Sequence, residues 1–228
     1  MSKNSNPVLS AVDIWKSYGN GATYLSIIRG ACIEISAGEV VSIVGPSGSG
    51  KSTILHVCGV LDPPDRGTVS VGSMDVWSVT ESRRARIRNS ELGFIFQFHH
   101  LLDEFTLMEN VAMPSMLAGN SRKDALHSAA ELLKEVGLSD RGKHFPSESS
   151  GGERQRAAVA RALILSPSVV LADEPTGNLD SANSSIVEDL MFELAERRNQ
   201  AFIIATHSTE LAGRAHRCLT LDDGILRS

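Results

Sequence analysis

Short apolar runs separated by turn residues dominate the pattern of this 228-residue chain. Four β-type runs with glycine-containing turns between them occur early in the chain, at residues 8–14, 31–35, 40–44 and 68–71. Two later runs are apolar almost throughout, at residues 169–173 and 201–206. The early runs predict β-hairpins that flank the strand 40–44, and the later runs are typical of strands that are buried on both faces of a parallel sheet.

Helical periodicity covers residues 122–136 and 181–198, and the pattern between Leu101 and Pro167 is mostly helical. This order predicts an α/β fold with an antiparallel β subdomain and an inserted α-helical subdomain at roughly residues 101–167. A chain of this length with 42% hydrophobic residues can bury a substantial core. We therefore expect one domain over residues 1–228.

Composition excludes several classes of function. The formal charge of −5 argues against nucleic acid as the main partner, since nucleic-acid-binding domains usually have a basic face. The basic run from Arg83 to Arg88 is interpreted as a solvated helix face rather than a binding patch. The three cysteines are scattered without metal-ligand spacing, so we predict no disulfide framework or zinc site, and a reducing cytosol suits them.

The chain is expected to have no membrane segment of its own. Residues 1–7 are polar and contain no apolar signal segment. No apolar run approaches the ~18 residues of a membrane span. Any membrane role would therefore depend on a partner.

Residues 45–53 match the P-loop template of Gly, four residues and Gly-Lys-Ser/Thr, between an apolar strand and a helix-compatible segment. They are Gly45, Pro46, Ser47, Gly48, Ser49, Gly50, Lys51, Ser52 and Thr53. The glycines allow backbone N–H groups at a helix start to approach phosphate oxygens. Lys51 is then placed for the β- and γ-phosphates, Ser52 for Mg²⁺ and Thr53 for the α-phosphate side. A merely flexible turn would not require Lys and Ser at these offsets, so the motif predicts nucleotide binding.

A second pair of glycines follows Ser149 at the start of an Ala-rich helical stretch. Ser150 and Glu153 form a capping-box pair, which places the beginning of the helix. Gly151 and Gly152 then fall in its first turn, although glycine is about 1 kcal/mol worse than alanine inside a helix. We interpret them as a bare helix N-terminus that an anion can approach.

Two carboxylates lie at the end of the apolar run 169–173: Asp173 is its last residue, and Glu174 follows it. Asp173 is placed to reach Mg²⁺ through water, and Glu174 to orient or deprotonate an attacking water in phosphoryl transfer. Because successive strand residues face opposite ways, both can serve one site only where the strand ends. Pro175 is predicted to keep Glu174 extended. His207 follows a later apolar run and is expected at the same carboxyl edge of the sheet.

The order of these motifs resembles the ATPases of ABC transporters over nearly the whole chain, and residues 150–156 are similar to the signature of that family. Ser149 departs from the leucine that the family usually has at this place. The resemblance implies a P-loop NTPase core of the ABC type that hydrolyses ATP with Mg²⁺. It also implies a head-to-tail dimer of two copies, in which the signature of one copy closes over ATP in the P-loop of the other.

The same resemblance implies further roles for single residues. His207 is similar to the switch histidine that contacts the γ-phosphate. Gln97, at the end of the apolar strand 92–96, is similar to the Q-loop glutamine that senses Mg²⁺ and links the site to the helical subdomain. Asp180, in Asn178-Leu179-Asp180, resembles the D-loop that touches the opposite subunit. Lys51 and Glu174, with His207 and Gln97, are thus the expected catalytic residues.

Tyr18 matches the aromatic residue that stacks on adenine in this family. Trp15 and Tyr24 are neighbouring aromatic residues that stay open as alternatives or as core residues.

Within the family, residues 96–102 and 109–114 are similar to the ATPase subunits of bacterial lipoprotein-releasing transporters. This likeness implies integral membrane transporter subunits as partners and a peripheral location on the cytoplasmic face of the inner membrane. Macrolide-type exporter ATPases and ATP-gated cell-division regulators share the catalytic motifs and stay as alternatives. Leu101, Leu102 and Phe105 are interpreted either as a docking surface for a membrane partner or as packing within the helical subdomain.

Overall fold

The computed structural model describes residues 7–19 and 24–227, so the polar residues before Pro7 lie outside the described part. The strands are β1 (Leu9–Tyr18), β2 (Leu25–Ile35), β3 (Val40–Val44), β4 (Arg66–Val71), β5 (Met74–Asp75), β6 (Leu92–Phe96), β7 (Val169–Asp173), β8 (Ala201–Ala205), β9 (Arg217–Asp222) and β10 (Ile225–Arg227). The helices are α1 (Lys51–Cys58), α2 (Glu81–Ser90), α3 (Leu107–Leu117), α4 (Arg122–Glu135), α5 (Gly151–Leu163), α6 (Ser181–Arg198) and α7 (Thr209–Arg214). Within residues 7–19 and 24–227, no helix combines the length and the apolar character that crossing a bilayer requires.

A six-stranded sheet in the order β10-β9-β3-β8-β7-β6 forms the centre of the fold. Strands β9, β3, β8, β7 and β6 run parallel, and β10 pairs antiparallel with β9 at the edge. All five residues of β8 are buried, as its unbroken apolar run predicted. Because parallel strands end at the same edge, the loops after β3, β6, β7 and β8 lie side by side.

A four-stranded antiparallel sheet in the order β2-β1-β4-β5 confirms the predicted antiparallel region. Strand β2 begins at Leu25, well before the predicted start at residue 31. Its first half is only partly buried and includes Gly30 at a φ of 67°, so the apolar alternation that marks a strand is weak there. Strands β9 and β10 were also not predicted from the sequence, because most of their residues are exposed and neither forms a continuous apolar run.

Two apolar clusters lie on opposite faces of the six-stranded sheet. Ile203 of β8 belongs to the cluster that includes α1 and the antiparallel sheet. The residues on either side of it, Phe202 and Ile204, belong to the cluster that includes α3, α4 and α5. Since consecutive strand residues point to opposite faces, β8 is packed on both sides. The helices α3 to α5 fall within the mostly helical stretch 101–167.

The basic run lies within helix α2. Arg84 and Arg88 pair with Glu81 at 2.8 and 2.7 Å, and Ile87 is the buried residue of this helix. Arg83 and Arg86 are exposed, as a solvated helix face predicts, whereas the side chains of Arg84 and Arg88 are only 20% and 27% exposed.

Helix α5 begins with the predicted capping box. The Ser150 hydroxyl accepts a hydrogen bond from Glu153 N at 3.2 Å, and the Glu153 carboxylate accepts one from Ser150 N at 2.8 Å. Gly152 is buried, and a Cβ atom there would lie 2.2 Å from Oδ1 of Asn183 in α6. Glycine at 152 thus has a packing reason within the chain, which the sequence did not indicate.

We expect Gly152→Ala to lower the free energy of unfolding by about 1–3 kcal/mol, because overpacking against Asn183 exceeds the gain in helix propensity. Urea unfolding followed by circular dichroism measures this change. Gly151→Ala is the control, since a Cβ there would meet Leu179 Cδ2 at 3.3 Å, a distance that the leucine side chain can relieve. In an Asn183→Ala background the loss caused by Gly152→Ala should shrink. Equal losses in both backgrounds would contradict the packing explanation.

Candidate functional site

A cleft of about 530 Å³ opens at the carboxyl edge of the six-stranded sheet. It is lined by Tyr18, Ile27, Ser47, Gly48, Gly50, Lys51, Ser52, Thr53, Gln97, Asp173, Glu174 and His207. Ile27 is the one lining residue that the sequence did not indicate, because its half of β2 was not recognised as a strand. Of the described P-loop residues, Gly45, Pro46 and Ser49 do not line the cleft.

The P-loop leads from β3 into a helix start without a side-chain cap among the described residues. Gly50 stands before the helix at a φ of 104°, and a Cβ atom there would lie 2.8 Å from Ile27 Cγ2. Glycine is therefore required both by conformation and by space. Lys51 Nζ donates hydrogen bonds to the carbonyls of Gly45 and Pro46 at 2.8 and 3.2 Å. The first N–H groups of α1 have no intrahelical acceptor, so together with this ammonium group they form an anion site.

Glu174 and His207 are in direct contact. Oε2 of Glu174 accepts a hydrogen bond from His207 N at 3.2 Å and lies 2.8 Å from His207 Nδ1. The prediction of an extended Glu174 before Pro175 was wrong, because its φ is 46°. Glu174 N donates to the carbonyl of Ala205, and its own carbonyl accepts from Gly177 N at 3.1 Å. The chain thus turns directly after β7, and this turn overrides the preference of a residue before proline.

Asp173, the last residue of β7, has a carboxylate oxygen that is available to a ligand. Its Oδ1 is buried and has no hydrogen-bond partner among the described residues. Gln97 Nε2 donates to Oδ1 of Asn178 at 3.0 Å. This orientation leaves the amide oxygen of Gln97 available to coordinate a metal ion. The described residues contain no cluster of three His, Cys, Asp or Glu side chains that could hold a metal. One carboxylate with the Ser52 hydroxyl fits Mg²⁺, which relies on phosphate oxygens for further ligands.

Among the three candidate aromatic residues, Tyr18 lies at the cleft. Trp15 donates from its indole nitrogen to Asp13 at 2.7 Å, and Tyr24 is 65% exposed. Neither belongs to the lining, whereas Tyr18 lines the cleft with Thr53 of the P-loop.

The four predicted signature residues, Ser150, Gly151, Gly152 and Glu153, lie outside the cleft of the described chain. Glu153 pairs with Arg141 at 3.0 Å. Its hydrogen bond from the Ser150 backbone, helped by Arg141, holds the pKa of Glu153 below its usual range. The carboxylate is therefore ionised but bound at the side of the helix start.

Asp180 caps helix α6. Its Oδ1 accepts a hydrogen bond from Asn183 N at 2.9 Å, and its Oδ2 accepts one from Asn183 Nδ2 at 2.7 Å. The bond from the Asn183 backbone is the main reason why the pKa of Asp180 is lowered. Within one described chain, this aspartate of the predicted D-loop is thus a helix cap and lies outside the cleft.

Two side chains of α5, Gln155 within the signature stretch and Arg161 beyond it, hold this edge of the sheet. Gln155 Nε2 donates to the carbonyls of Phe96 and Pro175 at 3.2 and 2.6 Å. Arg161 donates to the two carbonyls of residues 99–100 at 2.7 and 2.6 Å. The helix is thereby tied to the ends of β6 and β7. The sequence did not indicate these bonds, because their partners are backbone carbonyls that are distant along the chain.

Comparison with known proteins agrees with this geometry. The sequence model of the family described as ABC transporter matches residues 28–177. The lipoprotein-releasing system ATP-binding protein LolD of Legionella pneumophila (strain Paris) is 48% identical over 219 residues, which cover 96% of both chains. The LolD protein of Alcanivorax borkumensis is 48% identical over 224 residues, 98% of both chains.

Solved structures agree with the fold as well. A dimeric post-hydrolysis state of the ATP-binding cassette MJ0796, bound to ADP and Pi, has a TM-score of 0.88 and 33% sequence identity. The match covers 96% of this chain and 97% of that one. With a family match over most of its length, near full-length relatives and this cleft, the chain belongs to the ABC transporter family of ATP-binding ATPases.

Proposed function

We propose that this chain is the ATP-hydrolysing subunit of a bacterial ABC transporter that releases lipoproteins from the cytoplasmic membrane toward the outer membrane. The observation that carries the proposal is the 48% identity, over 96% of both chains, to a protein named for lipoprotein release. The P-loop, Asp173, Glu174 and His207 around one cleft supply the chemistry that ATP hydrolysis requires.

In this function the phosphates of ATP lie on the P-loop. The N–H groups at the start of α1 and the ammonium group of Lys51 compensate the phosphate charge. Mg²⁺, when bound, neutralises charge that develops on the phosphates during transfer. The Ser52 hydroxyl, the free oxygen of Asp173 and the amide oxygen of Gln97 would hold this ion.

Glu174 acts as the positioned base for the attacking water. Its carboxylate faces the same cleft as Lys51, and the contact with His207 Nδ1 at 2.8 Å fixes its direction. A base that is oriented before the reaction loses little entropy in the transition state. The same contact orients the His207 ring, which lines the cleft together with Lys51.

The working unit is a head-to-tail dimer. Support comes from the dimeric state of the similar cassette MJ0796 and from the position of residues 150–153 outside the chain's own cleft. In the dimer, Ser150, Gly151 and Gly152 of a second copy bring the α5 N-terminus to the ATP phosphates. Glu153 would repel the phosphates, but its bonds to Ser150 N and Arg141 hold the carboxylate to the side. Asp180 contributes at the same interface.

Integral membrane subunits are the other partners, and the chain is peripheral on the cytoplasmic face of the inner membrane. The loop after β6 offers a surface for them, because Phe98, Leu102 and Phe105 are exposed while Leu101 packs against the helical cluster. Packing within the helical subdomain therefore describes Leu101, whereas Leu102 and Phe105 are available as a docking surface.

Glu174→Gln is expected to bind ATP but to lose turnover by about 100-fold or more, because a positioned base contributes roughly that factor. Phosphate release measures the turnover, and light scattering after size-exclusion chromatography measures the ATP-bound dimer, which should accumulate. Glu193→Gln changes an exposed glutamate outside the cleft and is the control. Undiminished steady-state hydrolysis by Glu174→Gln would contradict the assigned role.

The transport function is tested by purifying the tagged chain from detergent-solubilised membranes of its own host. We expect membrane subunits that, reconstituted with the chain in liposomes, release an acylated lipoprotein when ATP is added. Liposomes with Glu174→Gln should retain the lipoprotein. Recovery of cell-division proteins, or ATP-independent release, would reject lipoprotein release while leaving the ATPase assignment in place.

A further inference from the structure

Lys16 and Asp62 form an ion pair next to Tyr18. Lys16 Nζ donates hydrogen bonds to Oδ1 of Asp62 at 2.6 Å and to the carbonyl of Pro63 at 2.7 Å. The side chain of Lys16 is 8% exposed, and that of Asp62 is 27% exposed. An ammonium group this buried requires a compensating charge, so Lys16 fixes the position of the Asp62 carboxylate.

The second oxygen of Asp62 is used by Tyr18. The phenol hydroxyl donates to Oδ2 of Asp62 at 2.5 Å. Burial, followed by this hydrogen bond and the charge of Asp62, raises the pKa of Tyr18 to about 12, so the phenol stays a donor near neutral pH. Lys16 Nζ lies over the Tyr18 ring, 5.1 Å from its centroid. A base that stacks on this ring would therefore take the other face.

Asp62 is also attached to the P-loop helix. Its backbone N donates to the carbonyl of His56, in the last turn of α1, at 3.3 Å. Burial alone would raise the pKa of Asp62, but the hydrogen bonds from Lys16 and Tyr18 outweigh burial and lower it. The carboxylate is thus ionised near neutral pH. It connects the aromatic ring to the helix whose N-terminus faces the phosphates.

We infer that Asp62 is a positioning residue for the base of the bound nucleotide. It holds the Tyr18 ring at a fixed place relative to the P-loop. A nucleotide whose phosphates lie on the loop then has its base against the free face of the ring. The inference rests on the proposed ATP site, because it assumes that the base of the bound ATP stacks on the Tyr18 ring.

The exposure of Tyr18 argues that this bond serves the ligand rather than the core. Tyr18 is 44% exposed, so packing within the chain alone does not fix the rotamer of its ring. The bond to Asp62 instead restricts the rotamers of an exposed ring. Restriction before binding lowers the entropy that binding would otherwise lose.

The test compares ATP with inorganic triphosphate, both with Mg²⁺, by isothermal titration calorimetry on the full chain. Tyr18→Phe keeps the ring and the Lys16–Asp62 pair but removes the hydroxyl bond. We expect the Kd for ATP to rise by about 3- to 10-fold, as the loss of one hydrogen bond to a partly exposed carboxylate would give. The Kd for triphosphate should not change. In turnover assays the change should fall on KM rather than kcat.

Tyr24→Phe is the matched control, because Tyr24 OH lies 3.5 Å from Asp65 and its side chain is 65% exposed. It should alter neither affinity. Asp62→Ala removes the carboxylate and should raise the ratio of the ATP Kd to the triphosphate Kd. This ratio is insensitive to partial unfolding, which lowers both apparent affinities alike. The double variant Tyr18→Phe/Asp62→Ala should show the same ratio as Asp62→Ala alone, since both changes act through one contact.

Tyr18→Ala separates this inference from the ATP site on which it rests. If Tyr18→Ala leaves ATP affinity unchanged, the base does not lie on Tyr18, and that part of the proposed site fails. If it weakens ATP by about 10-fold, as lost stacking would, while Tyr18→Phe equals the wild type, stacking stands and the positioning role is overturned. Equal weakening of ATP and triphosphate by Asp62→Ala would likewise overturn it, because Asp62 would then be merely structural.

Discussion

The site depends on one constraint, that neighbouring parallel strands end at the same edge of a sheet. Strands β3, β8, β7 and β6 are consecutive in the sheet, so four loops that are far apart in sequence become neighbours. Lys51, His207, Asp173 and Gln97 follow or end these strands, and all four line one cleft. The burial of β8 on both faces keeps this edge in place, because moving the strand would expose apolar residues to water on two sides.

The helical layer is attached to that edge by hydrogen bonds rather than by apolar packing alone. Gln155 reaches the carbonyls that end β6 and follow β7, and Arg161 holds the chain just after Gln97. A guanidinium group that is largely desolvated and bonded to two carbonyls is costly to release. Because α5 begins at the signature residues, a displacement of the loop around Gln97 would be transmitted to them through these bonds.

A structural feature could be predicted from the sequence where it leaves a local pattern of residue types, and was missed where it does not. The run 169–173 was predicted with correct bounds because four consecutive buried apolar residues, as a strand packed on both faces requires, end at Asp173. The first half of β2 lacks this signal, and Ile27 was missed with it. The conformation of Glu174 was predicted wrongly, because a local preference before proline was overruled by hydrogen bonds to Ala205 and Gly177. The hydrogen bonds that Gln155 and Arg161 donate to distant backbone carbonyls leave no local pattern in the sequence.

The two glycine-containing helix starts, at α1 and α5, are suited to different parts of phosphate binding. At α1 the N–H groups are uncapped and an ammonium group lies beside them, so this start can bind an anion by itself. At α5 the start is capped by Ser150 and Glu153, and the buried Gly152 packs on Asn183 of α6. Since Asp180 is hydrogen-bonded to the same asparagine, the signature and the D-loop form one packed surface. In the proposed dimer they would therefore reach or leave the second copy's ATP together.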